Sequence, residues 1–125
     1  MFRGQLHNSL KEIGMKNLEL LVNQVQHARV MIDPDMTLLS LGMFLEIASH
    51  GDNYPVSEVI KKFHLNASTC SRNMYYLSGG FVRANEPRKG VGLIRTETSP
   101  TDRRALVVSL TQKGQAVIKS LQNVK

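Results

Sequence analysis

A single cysteine, Cys70, is the only thiol in this 125-residue chain. No internal disulfide can form, and the composition suits a reducing cytoplasm. No apolar run approaches the roughly 20 residues that cross a bilayer, and MFRGQLHNSLKEIGMK lacks the apolar centre of a signal peptide. Neither a membrane partner nor export is expected. His7, His27, His50 and His64 share no zinc-ligand spacing with one another or with Cys70, so no metal site is expected. Also missing are a Ser/His/Asp or Cys/His set at interpretable spacing, a phosphate-cradling GxxxxGK loop and the carboxylate cluster of a two-metal nuclease. The glycines of GGFVRANEPRKGVG follow a helical stretch and precede a strand, the reverse of a dinucleotide-binding turn. These absences argue against an enzyme and against any cofactor.

What is present fits one domain over residues 1–125, with 42% hydrophobic residues available for a core. Lys and Arg number 16 against 10 Asp and Glu, a formal net charge of +6 that favours a polyanionic partner. The apolar residues recur mostly at helical period. Leu10, Ile13, Leu18, Leu21, Val22, Val25 and Ala28 mark one long amphipathic helix over 9–31, with Ser9 and Glu12 spaced as a capping box. IDPD ends it, because Pro34 disfavours helix at Asp33, and Asp35 is placed to cap the next helix. That second helix, over 36–49, is apolar on more than one face through Leu38, Leu39, Leu41, Met43, Phe44, Leu45 and Ile47, and should be central. Met15, Met31, Met36, Met43 and Met74 read as core filler.

HGDNYP forms a turn cluster, and Val59, Ile60 and Phe63 then mark a short helix over 56–63. After Leu65 and Asn66 comes a fourth helix, 67–77, with Cys70, Met74 and Leu77 inward and Ser68, Thr69, Ser71, Arg72 and Tyr75 outward. Short helix, tight turn and polar-faced helix are the spacing of a helix-turn-helix, whose second helix carries base-edge contacts. Tyr75 and Tyr76 point in different directions on such a helix; which of them packs stays open. Residues 79–91 read as a loop, with a short strand at 81–83 as an option. GLIRTETSPTDRRALVVSLTQKG then reads as a charged β-hairpin running into a capped helix. Pro100 and Asp102 favour reversal, the β-branched run 105–110 returns, and Thr111 caps a helix carrying Ala116, Val117, Leu121 and Val124. Arg103 and Arg104 fall at the hairpin tip, a good place to meet phosphate. Arg95, on the first strand, can contact phosphate or pair with a carboxylate across the hairpin. Between Gly79 and Arg104, Arg83, Arg88, Lys89, Arg95, Arg103 and Arg104 outweigh Glu86, Glu97 and Asp102.

Gly92-Leu93, Asp102-Arg103-Arg104 and Leu110-Thr111 with Gly114 resemble the wing and following helix of MarR-type winged-helix regulators. Upstream, Ser57-Glu58, Val59-Ile60, Leu65, Ser68-Thr69, Ser71-Arg72 and Leu77 are similar to that family's helix-turn-helix. The resemblance runs from about Met36 to Leu121. It departs from the family pattern at residues 79–91, which are additional, and in the short last helix. It implies a mainly α fold with a small β-hairpin wing: a winged helix-turn-helix core over 36–110, flanked by N- and C-terminal dimerisation helices, the latter over 111–125.

The resemblance also implies functional roles. The recognition helix 67–77 would enter the major groove with Ser68, Thr69, Ser71, Arg72 and Tyr75, and the wing 93–110 would lie at the minor groove with Arg103 and Arg104. Arg83, Arg88 and Lys89 would extend the phosphate footprint, joined by Arg95 in its phosphate-contact reading. Asp102 would orient the neighbouring arginine. Leu10, Ile13, Leu18, Leu21, Val25, Val117 and Leu121 would build a homodimer. Family members often take small aromatic acids, although no residue identifies such a pocket, and some sense oxidants through cysteine, whereas Cys70 on the inward stripe reads as a small core residue. The expected function is that of a sequence-specific double-stranded-DNA-binding regulator, a repressor in the simplest form, cytoplasmic and associated with the nucleoid. The alternative is a winged-helix protein-interaction module, an adaptor or antagonist without specific DNA binding.

Overall fold

The computed structural model describes residues 14–83 and 86–125. Ser9, Leu10, Glu12 and Ile13, expected to open the first helix, lie outside them. Helix α1 spans Met15–Met31 and ends at the Asp-Pro-Asp turn, where the Asp35 amide donates to Asp33 Oδ1 at 2.9 Å. Asp35 therefore closes the turn and does not cap the next helix. Thr37 does so, its side chain accepting from the Ser40 amide at 3.1 Å, and α2 runs over Leu38–His50. The reason is distance: the Thr37 hydroxyl reaches the third residue of the helix, as a cap must.

Helix α2 is the centre of the domain. Met43, Phe44 and Ile47 are fully buried, while Leu38 and Leu45, on its other apolar face, are exposed. Around it pack α3 (Val56–Phe63), α4 (Ala67–Leu77) and α5 (Gln112–Gln122). Leu77, Leu93, Ile94 and Val108 complete the core, together with Cys70 and Met74 from α4. Met31 stands exposed and is no part of that core.

HGDNYP holds more than a turn. Tyr54–Pro55 forms a short strand, β1, that pairs antiparallel with β5 (Leu106–Leu110) through Tyr54↔Val108 and Pro55↔Val107. On its other side β5 pairs with β4 (Ile94–Thr98), from Ile94↔Leu110 to Thr98↔Leu106. The strand order is β1-β5-β4. Strand β5 is paired along both edges and is packed by α2, α3 and α5, and Val107, Val108, Ser109 and Leu110 are all buried. Buried Ser109 is satisfied by accepting from the Asn53 amide at 2.9 Å.

Residues 79–91, expected as a loop, form a second hairpin, β2 (Gly80–Arg83) with β3 (Glu86–Lys89), in the register Gly80↔Lys89 to Arg83↔Glu86. Backbone hydrogen bonds close it off at its base. Val91, Gly92 and Leu93 donate to the carbonyls of Tyr76, Ser78 and Leu77 at 2.8, 2.8 and 2.7 Å. The end of α4 is thus tied directly to Gly92-Leu93, where the wing begins.

The wing joins α5 through a compact set of contacts. Thr111 accepts from the Gly114 amide at 3.0 Å and donates to the Gly92 carbonyl at 2.7 Å. A Cβ on Gly114 would lie 2.1 Å from the Leu93 carbonyl oxygen, so only glycine allows the helix to sit on that strand. Gly92 itself has φ +70°, a left-handed conformation natural to glycine.

Val117 and Leu121, expected to help build a dimer, are buried in the chain's own core. They face inward because α5 lies against α1: His27 Nε2 is 2.7 Å from Ser120 Oγ, and Gln24 Nε2 donates to the Leu121 carbonyl at 3.3 Å. Much of the exposed apolar surface belongs to α1, where Leu18, Leu21, Val22 and Val25 are all open, and Leu38 and Leu45 of α2 add to it.

Candidate nucleic-acid interface

The polar face of α4 is displayed by its tight lead-in. Helix α3 ends at His64, which takes the left-handed conformation (φ 53°), and the Leu65 amide returns to the Ile60 carbonyl at 3.0 Å. Asn66 then caps α4, its Oδ1 accepting from the Thr69 amide at 2.8 Å. Two caps within three residues set the angle between the helices. With Cys70, Met74 and Leu77 buried, helical geometry turns Ser68, Ser71, Arg72 and Tyr75 to solvent. Thr69 is half-buried, and its hydroxyl accepts weakly from Arg72 at 3.5 Å.

Of the two tyrosines, Tyr75 is the exposed one. Tyr76 turns inward and donates from its hydroxyl to Asp33 Oδ2 at 2.6 Å. Burial, and then the Asp33 carboxylate, push the Tyr76 phenol far above its ordinary value, so the hydroxyl remains a donor. Cys70 is buried and its thiol is pushed up by that burial; it is placed as a core residue and not as a reactive thiolate.

Arg103 and Arg104 are exposed at the wing tip. Asp102 meets the tip through the backbone: its Oδ1 accepts from the Arg104 amide at 3.0 Å. The turn closes with Ser99 and Ala105, whose amide and carbonyl meet at 2.8 Å. Arg95 has a partner that neither sequence option named. Its Nε donates to Glu97 Oε1 at 2.8 Å on the same strand, and Nη1 donates to the Leu110 carbonyl at 3.0 Å. Residues two apart on a strand share a face, which makes this pairing available. Arg83, Arg88 and Lys89 fall on the β2–β3 hairpin that leaves the end of α4. The structure thus sets the α4 face and the wing tip on two elements joined through Leu77 and Leu93, and the hairpin springs from the same junction.

A separate feature that sequence reading missed is an apolar groove of about 760 Å³ between α1, α2 and α5, lined among others by Leu21, Val25, Leu38, Leu45, Phe63 and Leu121. Its polar lining comes from Gln24, Ser49 and Gln122, with no charged side chain to meet an aromatic acid. Its residues come from four separate helices, α3 contributing Phe63, and each apolar position read locally as helix packing.

Caps, turn, outward polar helix and charged hairpin together define a winged helix-turn-helix. No protein-family model matches the sequence, and no curated protein matches it significantly. Solved structures do match in fold. A transcriptional regulator from Thermotoga maritima superposes with a TM-score of 0.68 at 20% identity, covering 97% of this chain and 72% of that one. MepR of S. aureus in complex with DNA gives 0.65 at 16%, covering 88% and 78%. A MarR variant from E. coli in complex with operator DNA gives 0.54 at 18%, covering 93% and 76%. The fold is that of the MarR-type transcriptional regulators.

Proposed function

We propose that this chain is a sequence-specific double-stranded-DNA-binding transcriptional regulator with no enzymatic activity, acting as a repressor on the nucleoid. The observation that carries the reading is the outward row of Ser68, Ser71, Arg72 and Tyr75 on α4, with Arg103 and Arg104 exposed on the wing. Helix α4 enters the major groove, where the Arg72 guanidinium has the fork geometry that reads guanine, and Thr69 supports it at the helix start. The wing arginines lie in or along the adjacent minor groove, whose potential attracts guanidinium. Arg83, Arg88 and Lys89 extend the phosphate contacts, and Arg95, held by Glu97, adds to the wing at its base. That MepR and MarR were crystallised with DNA supports this assignment.

The protein acts as a homodimer. Leu18, Leu21 and Val25 on α1, joined by Val22, form an exposed apolar stripe of the kind that marks an interaction surface. A second copy covers it about a two-fold axis, and the operator is a pseudo-palindrome with half-sites one turn apart, about 10 bp.

Anisotropy of a labelled mixed-sequence duplex over a salt series tests the reading. Affinity should fall steeply with salt, and Arg103→Ala or Arg104→Ala should each shallow the log–log slope by about 0.9. Arg72→Ala should cost about 1–3 kcal/mol on a duplex recovered by selection from a random pool while leaving mixed-sequence binding nearly unchanged. Absence of binding at low salt would place the chain among winged-helix interaction modules instead.

A further inference from the structure

Two hydrogen-bonded clamps reach one flank of α4, one from the first turn of α2 and one from the connection between α1 and α2. Ser40, buried on α2, donates to Asn73 Oδ1 at 2.6 Å and accepts from the Thr37 hydroxyl at 2.9 Å. Asn73 in turn donates from Nδ2 to the Thr69 carbonyl at 2.8 Å, inside its own helix. One turn further along α4, Tyr76 donates to Asp33. The connection is tied on its other side as well: Arg29 of α1 donates from Nε to the Pro34 carbonyl at 3.1 Å. The segment Asp33–Ser40, which is the connection plus the first turn of α2, therefore touches α4 at two positions three residues apart, on the flank between its buried stripe and Arg72.

We propose that Asn73 and Tyr76 are positioning residues of the recognition helix, through which the Asp33–Ser40 segment sets how α4 meets DNA. This rests on the DNA-binding reading above. Apolar packing through Cys70, Met74 and Leu77 holds α4 against the core but is non-directional, so it tolerates rotation of the helix about its axis. Hydrogen bonds are directional and short-ranged, and two of them on successive turns remove that freedom. A base-edge contact is lost with a displacement of about 1 Å, whereas attraction to the phosphates is not. The clamps therefore control discrimination between sequences more than affinity for DNA in general.

The test uses changes that leave the DNA-facing side chains intact. Ser40→Ala removes one clamp from a buried site on α2, and Tyr76→Phe removes only a hydroxyl from the other. Affinity is measured by anisotropy for a duplex selected from a random-sequence pool and for a mixed-sequence duplex of the same length. Thermal midpoints are recorded alongside, and Ile47→Val serves as a core variant of modest stability loss. Each clamp variant should lower the ratio of selected to mixed affinity about fivefold, the equivalent of one net hydrogen bond. Mixed-sequence binding should stay within about twofold, and Ile47→Val should keep the wild-type ratio. If the clamp variants lose thermal stability yet keep the ratio, or Ile47→Val loses it equally, the residues are structural only and the inference fails alone. If wild type binds neither duplex, the DNA-binding reading fails and this inference fails with it.

Discussion

Helix α1 carries Leu18, Leu21, Val22 and Val25 and buries none of them, whereas α2 carries Met43, Phe44 and Ile47 and leaves all three fully buried. Helix α2 is the more apolar of the two in sequence, but each carries an apolar stripe long enough to need a partner. Their surroundings separate them. Helix α2 lies among α3, α4, α5 and β5, so its inner face meets partners on several sides. Helix α1 meets chiefly α5, through polar contacts from Gln24 and His27 and the one buried residue Ala28. An apolar stripe announces that a face must be covered without saying by what. In α2 the cover is the same chain; in α1 it is the proposed second copy.

The contrast should be sharpest where burial is complete. Phe44→Ala removes a ring with no exposure and should cost about 3–5 kcal/mol, read from urea unfolding with the slope checked for two-state behaviour. A loss below about 1 kcal/mol would mean that α2 is not the centre of the core. Next comes Gly114→Ala, where the added Cβ meets the Leu93 carbonyl oxygen. Relieving that overlap should cost about 1–3 kcal/mol, more than the gain in helix propensity of up to about 1 kcal/mol. A rise in thermal midpoint would contradict the wing-to-helix contact. The smallest effect on folding is expected on α1. Leu21 and Val22 are 55% and 65% exposed, so Leu21→Glu with Val22→Glu should change unfolding free energy by no more than about 0.5 kcal/mol in dilute solution. The same pair should convert a sedimenting dimer into a monomer, and a wild type that already sediments as a monomer at micromolar concentration would refute the two-fold assembly.

Helices α3 and α4 run over Val56–Phe63 and Ala67–Leu77, as their spacing predicts, and α5 starts after Thr111, the cap read from the sequence. Such features were legible because caps, turns and apolar period act within a few residues of one another. The start of α2 was misread for a local reason. Asp35 and Thr37 are both good capping types two residues apart, and Asp35 is taken up by the turn. Of the candidate site, the outward face of α4 and the exposed wing arginines follow from helix period and hairpin position. Arg95 does not: its Leu110 partner depends on the strand register, and its Glu97 partner lies on its own strand where a cross-hairpin carboxylate was expected.

Determined by the sequence alone were the helix-turn-helix spacing, the hairpin that leads into a capped helix, the inward stripe of α4 and the basic bias between Gly79 and Arg104. Each rests on the intrinsic geometry of the chain and on charge, which need no distant partner. Tertiary structure alone decided the rest. It drew Tyr54–Pro55 into the sheet beside Val107 and Val108, closed residues 79–91 into a hairpin, turned Val117 and Leu121 inward, and chose Tyr76 over Tyr75 for the interior. Except for that hairpin, whose strands pair within the segment, the deciding contact in each case lies outside the local segment. Asp33 and Tyr76 stand 43 residues apart, and no local propensity of either residue selects the other until the core brings them within hydrogen-bonding distance.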